Sequence, residues 1–157
     1  EPITILSGTF GKAFGSGGAF LAGSKRLKEH LLQTSGAFRY STALAPPLTA
    51  AALAALKLIK DHPEWAKELQ TRSEFWRSKL SAKGWARPLG KGPILPLIIG
   101  TDQQTLVFQH QLEKAGLLSV AIRPPTVPEG TSRLRIALRK DLPSKALGRL
   151  IKALETK

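Results

Sequence analysis

A single lysine, Lys12, lies in the glycine-rich stretch SGTFGKAFGSGGAF at residues 7–20, which contains five glycines. Glycine loses more conformational entropy on folding than any other residue, so this density indicates a backbone that must pass close to another group. A lysine amine condenses with an aldehyde to form a Schiff base, and pyridoxal phosphate is the commonest aldehyde cofactor of this kind. The stretch therefore suggests a covalent cofactor lysine, with the Thr9 hydroxyl available to the cofactor phosphate.

Two other interpretations of this stretch involve no covalent cofactor. A phosphate-binding P-loop requires the spacing GxxxxGK followed by Ser or Thr, whereas Gly8 is too close to Lys12 and Ala13 stands at the metal-binding position. A glycine turn with a solvated lysine also fits, and composition alone favours it. The residue types therefore disfavour the P-loop and leave the solvated and the covalent lysine as the main alternatives.

The hydrophobic pattern of the first sixty residues predicts the elements that position the lysine segment. Ser24 stands where a helix N-cap is expected, ahead of apolar residues at helical spacing. A segment without clear period ends in Pro46 and Pro47, which is typical of a loop. The predicted elements are strands at 3–7 and 18–24, a helix at 25–33, a loop at 35–47 and a buried alanine-rich helix at 48–60.

The remaining sequence predicts a small α+β domain, with a short sheet covered by helices on one face. In the strand at 133–138 the apolar residues Leu134, Ile136 and Leu138 alternate with arginines, so Arg135 is expected to face away from the core. The proline after His62 places the domain boundary near residue 61. The predicted elements are helices at 63–82 (apolar stripe Trp65, Leu69, Trp76, Leu80), 102–116 (Phe108, Leu112, Ala115 inward, Gly116 as stop) and 143–154, strands at 93–99, 117–122 and 133–138, and a loop at 123–132.

The composition narrows the functional classes. The chain has 24 Lys and Arg against 11 Asp and Glu, a formal charge of +13, which favours anionic ligands, nucleic acids or membranes as partners. There is no cysteine, so disulfides, zinc–thiolate sites and cysteine nucleophiles are excluded. No apolar run approaches the roughly 18 residues of a membrane span, and no signal peptide opens the sequence. Because the sequence begins at Glu1 and lacks methionine, we interpret it as a fragment of a longer protein.

Three segments together resemble one enzyme family. SGTFGKAFGSGGAFLAGS, FRYSTALAPP and AIRPPTVPEGTSRLRIALRK occur in this order along nearly the whole chain. They resemble the C-terminal part of the pyridoxal-phosphate-dependent α-oxoamine synthases, which share the lysine segment. The RPPTVP loop points to the 8-amino-7-oxononanoate synthase branch more than to glycine C-acetyltransferase, aminolevulinate synthase or serine palmitoyltransferase.

The resemblance implies cofactor-binding roles for four residues. Lys12 matches the lysine that holds the cofactor covalently and later moves protons at the substrate α-carbon. Thr9 matches a ligand of the cofactor phosphate. Thr42, with Ser41 beside it, matches a threonine that reaches the cofactor phosphate of the neighbouring subunit. Without the resemblance, the Thr42 hydroxyl would be interpreted as a cap for the helix that follows it.

The resemblance implies substrate-binding roles for two arginines. Arg135 matches the arginine that pairs with the carboxylate of the amino acid, and Arg123 matches an arginine near the acyl substrate. A planar guanidinium binds a carboxylate through two hydrogen bonds and does not lose its charge. A surface arginine on a solvated strand face is the alternative for Arg135. The three histidines, His30, His62 and His110, match no site of the family. No metal is expected.

The resemblance also implies a fold and a reaction. The fold is the α/β fold type I of pyridoxal-phosphate enzymes, with residues 1–60 as the end of the large cofactor domain and 61–157 as the small α+β domain. The enzyme condenses L-alanine with pimeloyl-CoA or a pimeloyl carrier protein, with decarboxylation, to give 8-amino-7-oxononanoate in biotin biosynthesis. A cytoplasmic homodimer is expected. The aspartate and histidine that the family places around the cofactor lie upstream of the lysine segment, so this chain alone is expected to be inactive.

Two alternative functions come from different observations. Another α-oxoamine synthase, using glycine or serine, shares the lysine segment. A basic nucleic-acid-binding module would explain the charge, but aromatic residues make up only 6% of the chain. Trp65 and Trp76 belong to a helical core stripe rather than to a stacking platform. We therefore expect neither nucleic acid nor membrane as a partner.

Overall fold

The computed structural model describes residues 4–155, which form two units divided between Pro63 and Glu64. The first unit contains a two-stranded antiparallel sheet, and the second contains a three-stranded antiparallel sheet. The elements of the first unit are β1 (Ile5–Thr9), β2 (Ala19–Gly23), α1 (Lys25–Thr34), α2 (Gly36–Arg39) and α3 (Pro46–Asp61). Those of the second are α4 (Glu64–Ala82), β3 (Ile94–Gly100), α5 (Asp102–Lys114), β4 (Val120–Ile122), β5 (Ser132–Ala137) and α6 (Ala146–Glu155).

Strands β1 and β2 form a hairpin that carries the lysine segment between them. The predicted strand at 3–7 is displaced: β1 continues through Gly8 to Thr9, and the prediction for residue 3 lies outside the described residues. Gly8 pairs directly with Phe20. A Cβ at Gly8 would lie 2.5 Å from the Phe20 ring, so a larger residue at this position would force the ring to move.

The short helices follow local capping signals. Ser24 caps α1 by accepting a hydrogen bond from the Leu27 N–H at 3.1 Å, as predicted. The prediction of a continuous loop at 35–47 is wrong, because Ser35 accepts from the Phe38 N–H in the same way and begins α2. Both helices begin at a serine whose side chain satisfies an N–H that would otherwise have no partner.

The alanine-rich helix α3 differs from its prediction in two respects. It begins at Pro46, two residues early, because proline has a helical φ and no N–H to satisfy in the first turn. It is also not buried in this unit: of α3 only Ala52 is buried, whereas Leu53 is 67% exposed. A two-stranded sheet and two shorter helices offer too little surface to cover a helix of 16 residues that is apolar on almost all sides.

The sheet of the second unit has the strand order β3-β5-β4 and separates a buried face from an open face. Leu134 and Ile136 of β5 are buried, as the period-two pattern predicted, and pair with Leu97 and Leu95 of β3. Arg135 lies on the open face between Pro96 and Val120, its direct partners on the two neighbouring strands. Proline is tolerated at position 96 because β3 is an edge strand.

Three helices complete the core of the second unit. Trp76 and Leu80 of α4 and Leu112 of α5 pack with Leu150 and Leu154 of α6 in one buried cluster that includes the inner face of the sheet. Phe108 and Ala115 pack against this cluster, as predicted, and Leu69 and Trp85 do the same. Trp65, predicted in the same stripe, is only half-buried and lies beneath the Lys140 ammonium, 3.8 Å from its ring centre.

Two boundaries in this unit differ from the predictions because of hydrogen bonds at helix ends. The strand predicted at 117–122 is shortened to Val120–Ile122, because the Leu117 N–H donates to the Leu112 carbonyl at 2.8 Å and closes α5. Gly116, the predicted stop, adopts a φ of +69° in this closure. Helix α6 begins at Ala146 rather than at 143, after a turn in which the Ala146 N–H donates to the Pro143 carbonyl at 2.9 Å.

Candidate functional site

The backbone around Lys12 is held by hydrogen bonds within the hairpin loop. The Phe10 N–H donates to the Gly18 carbonyl at 2.9 Å, and the Ser16 N–H donates to the Phe10 carbonyl at 2.9 Å. A tight turn follows Lys12, whose carbonyl accepts from the Gly15 N–H at 3.0 Å. Gly15 has a φ of +57°, a conformation that glycine adopts without strain. The lysine is therefore presented from an ordered turn rather than from a flexible linker.

The Lys12 side chain itself is unengaged. It is exposed, and its ammonium makes no hydrogen bond or ion pair with any residue in the range 4–155. The flanking glycines leave space beside it: a Cβ at Gly15 would meet nothing within 4 Å, and one at Gly11 would meet only ordinary contacts at 3.5 Å or more. An amine with an open approach and no competing partner is available to a carbonyl group.

Three of the five glycines are explained by packing within the unit. Besides Gly8 against Phe20, a Cβ at Gly18 would lie 3.0 Å from Leu44, and one at Gly17 would lie 3.1 Å from Leu48. The Ser16 hydroxyl donates to the Leu48 carbonyl at 2.6 Å, which ties the loop to the first turns of α3. The glycines were predicted to let the backbone pass close to another group, and at three of them that group is a side chain of this chain. Of the five, only Gly11 and Gly15 leave room for a ligand.

Thr9 is committed to the loop. Its hydroxyl donates to the Gly18 carbonyl at 3.2 Å and accepts from the Gly11 N–H at 3.2 Å. A hydroxyl has one proton and two lone pairs, so Thr9 can still accept a further hydrogen bond but must release Gly18 to donate to a phosphate. Its role as a phosphate ligand stays a prediction.

Ser41 and Thr42 differ in whether the side-chain hydroxyl already has a hydrogen-bond partner. The Ser41 hydroxyl donates to the Ala37 carbonyl at the end of α2. Thr42 is exposed, and its hydroxyl forms no hydrogen bond within the described part of the chain. Of the two, Thr42 therefore has the hydroxyl that is available to a ligand. The segment that follows it contacts the lysine loop through Leu44.

The two predicted substrate arginines belong to the second unit. Arg135 is exposed on the open sheet face, and its guanidinium has no partner among residues 64–155. Arg123 is exposed directly after β4, and its carbonyl accepts from the Thr126 N–H at 3.0 Å. Lys12 and Thr9 belong to the first unit, whereas Arg135, on the open sheet face, and Arg123, directly after β4, belong to the second.

Arg133 is the neighbour of Arg135 on this face, as the period-two pattern predicted, but no functional role was predicted for it from the sequence. Arg133 is half-buried and donates to the Thr131 carbonyl at 2.9 Å and to the Thr131 hydroxyl at 3.0 Å. Its position two residues before Arg135 was a signal that both arginines share a face. The sequence pattern did not indicate that Arg133 would be held by hydrogen bonds and that Arg135 would not.

Two further features bear on the function. Among residues 4–155 no group of three or more histidine, aspartate and glutamate side chains is placed to hold a metal ion. Within the same range, no helix combines the length and the apolar character that crossing a bilayer would require. His110 is an exposed helix residue beside Glu113, with 3.7 Å between Nδ1 and the carboxylate.

The sequence is similar to a large enzyme family. Its residues 1–154 match the family described as aminotransferase class I and II. The 8-amino-7-oxononanoate synthase of Chromohalobacter salexigens is 38% identical over 154 residues, which are 98% of this chain and 40% of that enzyme. The chain therefore spans about two fifths of the length of the curated relatives it matches.

Solved structures share the fold of this chain. A crystal structure of 8-amino-7-oxononanoate synthase from Francisella tularensis has a TM-score of 0.82 and 25% identity, covering 97% of this chain and 44% of its own. A structure of serine palmitoyltransferase (SPT) with PLP has a TM-score of 0.87 and 22% identity, covering 96% of this chain and 39% of its own. The predicted fold class is confirmed: the chain has the α/β fold of part of a fold type I pyridoxal-phosphate enzyme.

Proposed function

Because the chain belongs to the aminotransferase class I and II family, we propose that the protein carrying it is a pyridoxal-phosphate-dependent acyltransferase of the 8-amino-7-oxononanoate synthase type. It condenses L-alanine with the pimeloyl thioester of coenzyme A or of a carrier protein, releases carbon dioxide and gives 8-amino-7-oxononanoate for biotin biosynthesis. The single observation that carries the proposal is the exposed, unpartnered Lys12 amine on a turn flanked by unobstructed glycines.

The residues of the first unit fit pyridoxal phosphate by their chemistry. The cofactor presents an aldehyde and a phosphate, which require an uncommitted amine and hydrogen-bond donors. Lys12 supplies the amine to its own site, and Thr42, whose hydroxyl has no competing partner in residues 4–63, supplies a hydroxyl to the neighbouring subunit's site. Thr9 and Ser41 add hydroxyls that hold the loop and the end of α2 in place when no phosphate is present. In the proposed homodimer, Thr42 serves the site of the neighbouring subunit.

When bound, pyridoxal phosphate supplies an aldehyde for covalent attachment and a ring that withdraws electrons from the α-carbon of an attached amino acid. Lys12 then has two tasks: its Nζ atom holds the aldehyde carbon between turnovers, and its released amine takes and returns the proton at the α-carbon. The loop hydrogen bonds keep the Lys12 backbone fixed during this exchange.

The arginines of the second unit fit the anionic parts of the two substrates. Arg135 binds the carboxylate of alanine through two parallel hydrogen bonds, because its guanidinium is exposed and unpaired on the open sheet face. Arg123 lies at the acyl substrate, and the positive charge of the chain attracts an anionic thioester carrier. The protein is proposed to act in the cytoplasm.

Replacing Arg135 with methionine is expected to raise the KM for the amino acid about 100-fold, since a charge-assisted bidentate pair contributes roughly 3 kcal/mol to binding. The melting temperature should hardly change, because the guanidinium has no partner within the second unit. Steady-state kinetics with varied alanine measures the effect. R139M is the matched control: Arg139 is 70% exposed and pairs only with the surface residue Asp141. An unchanged KM in R135M would remove Arg135 from the substrate site.

The proposed reaction is tested by product analysis of the full-length protein with pyridoxal phosphate. Alanine, glycine and serine are each offered with pimeloyl-CoA and with an acyl-CoA that lacks the terminal carboxylate. We expect 8-amino-7-oxononanoate from alanine and pimeloyl-CoA as the fastest reaction. A fastest reaction with serine or glycine would instead assign the protein to another branch of the α-oxoamine synthases.

A further inference from the structure

Arg133 contacts both ends of the loop that carries Arg123, residues 123–131. On the sheet, Arg133 pairs directly with Ile122, the last residue of β4, and Arg123 follows immediately. At the other end of the loop, the Arg133 side chain holds Thr131 through two hydrogen bonds, at 2.9 and 3.0 Å. The backbone of Arg133 therefore fixes where the loop starts, and its guanidinium fixes where the loop finishes.

The far end of this loop is a closed hydrogen-bonded unit. The Thr131 hydroxyl donates to the Pro128 carbonyl at 2.6 Å and the Thr131 N–H donates to the same carbonyl at 3.2 Å, with Gly130 at a φ of +72°. Because its proton is used by Pro128, the Thr131 oxygen is oriented to accept from Arg133. The guanidinium thus holds a formed turn rather than a single side chain.

The next residue anchors the turn to the core. Ser132 is fully buried, and its hydroxyl donates to the Asp102 carboxylate at 2.5 Å in the first turn of α5. This bond fixes the backbone on which Arg133 stands, but it does not reach the loop. Within the loop from 123 to 131, the hydrogen bonds of the Arg133 guanidinium tie Thr131 to β5.

Arg133 and Arg135 share the open face and differ in what they bind. Residues two apart on a strand lie on the same side, roughly 7 Å apart. The partners of Arg133 are a carbonyl and a hydroxyl, both neutral, so its full charge remains beside Arg135. No carboxylate of the second unit, as far as it is described, pairs with either guanidinium.

We infer that Arg133 is a positioning residue, which fixes the loop that carries Arg123 to the start of β5 and so positions Arg123 for the acyl substrate. This inference deepens the proposed function and rests on it for the identity of the substrate. The fixed loop itself is independent of that identity. Arg133 acts on the substrate through the loop, whereas Arg135 binds the substrate directly.

The test uses the full-length protein and three substitutions. R133M removes the clamp and the charge, T131V removes only the hydroxyl that Arg133 and Pro128 share, and T131S retains that hydroxyl. R139M removes one exposed arginine elsewhere in the same unit and serves as the matched control. If R133M fails to fold, T131V still tests the clamp, because the described contacts of this hydroxyl are with the Pro128 carbonyl and the Arg133 guanidinium.

The first readout is hydrogen–deuterium exchange of residues 123–131, which needs no substrate. We expect exchange at least tenfold faster in R133M and T131V than in wild type, with T131S and R139M unchanged. The second readout is kinetic: the KM for pimeloyl-CoA should rise tenfold or more in R133M and T131V, with kcat within threefold of wild type and near-normal KM in T131S.

The two readouts separate the inference from the proposed function. Unchanged exchange in both R133M and T131V would overturn the inference whatever the activity. Faster exchange with an unchanged KM for pimeloyl-CoA would also overturn it, because the loop would then be mobile without consequence for the substrate. A wild-type protein that makes no product from alanine and pimeloyl-CoA would contradict the proposed function, and the exchange result would still decide whether Arg133 fixes the loop.

Discussion

Replacement of Lys12 by alanine or by arginine should lower kcat by at least about 1,000-fold, because one amine both attaches the cofactor and moves the proton at the α-carbon. Arginine retains the positive charge but does not condense with an aldehyde at neutral pH. Equal losses in K12A and K12R would therefore show that the covalent function of the amine is needed, and not its charge. The measurement is steady-state product formation by the full-length protein at saturating cofactor.

The structure supplies controls for the Lys12 result. Lys25 is an exposed lysine at the start of α1, 3.8 Å from Glu29, and K25A should retain wild-type kcat. The fold should survive K12A, because the Lys12 side chain contacts no hydrogen-bonding partner among the described residues and the turn is held by its backbone. A K12R variant with more than a tenth of the wild-type rate would contradict the assignment.

Replacement of Arg77 by methionine should destabilise the second unit by about 3 kcal/mol or more. Arg77 is 1% exposed and donates to the carbonyls of Pro88, Gly92 and Ile94 at 3.1, 2.8 and 3.2 Å, and also to the Ser73 hydroxyl. Methionine removes the donor to the buried Pro88 carbonyl and to the part-buried Ile94 carbonyl, at about 1–3 kcal/mol for each group that finds no other partner, whereas Gly92 still accepts from the Ser73 hydroxyl. The segment between α4 and β3 would lose its attachment through Arg77 and would keep the Ser73–Gly92 hydrogen bond and the Arg87–Glu74 pair.

Thermal denaturation of the full-length protein measures this effect, with an expected fall of the midpoint of roughly 6–12 °C for R77M. R87M is the control from the same segment, because Arg87 forms an ion pair with Glu74 in which the side chains are 48% and 60% exposed. An exposed pair contributes less than about 1 kcal/mol, so R87M should shift the midpoint by no more than roughly 4 °C. Equal shifts in the two variants would refute the buried role of Arg77.

Sequence patterns predicted the structure correctly where one physical effect, such as burial of one sheet face or capping of a helix, dominated. The alternation along β5 placed Leu134 inward and Arg135 outward, because only one face of that sheet is covered. The serine ahead of α1 predicted its cap correctly. The exposure of Lys12 also matches a turn among glycines, although the sequence alone left two interpretations of that turn.

Burial of polar residues was not predictable in the same way. Ser73 and Arg77 lie four residues apart on the inward side of α4, but an apolar stripe identifies only the hydrophobic members of a face. Whether an arginine on such a face is buried depends on carbonyls that come from another segment, in this case residues 88–94. The pattern also overestimated the burial of α3, because the area available to cover a helix is a property of its neighbours.

The sequence predicted which residue types form the candidate site, but it did not predict their hydrogen bonds. Ser41 and Thr42 are equivalent in the sequence, yet only Ser41 donates to a backbone carbonyl in the described chain. Arg133 and Arg135 are likewise equivalent until Thr131 is placed beside one of them. Local hydrogen bonds of this kind depend on turn conformations that residue types permit but do not specify.

The central claim, a covalent bond between the Lys12 amine and pyridoxal phosphate, is tested most directly by borohydride reduction of the full-length protein with its cofactor. Reduction makes the bond permanent, and tryptic digestion followed by mass spectrometry locates it. The account predicts a phosphopyridoxyl group on Lys12 alone, in a peptide that runs uncleaved through Lys12 to Lys25. Modification of another lysine, or of none, would contradict the account.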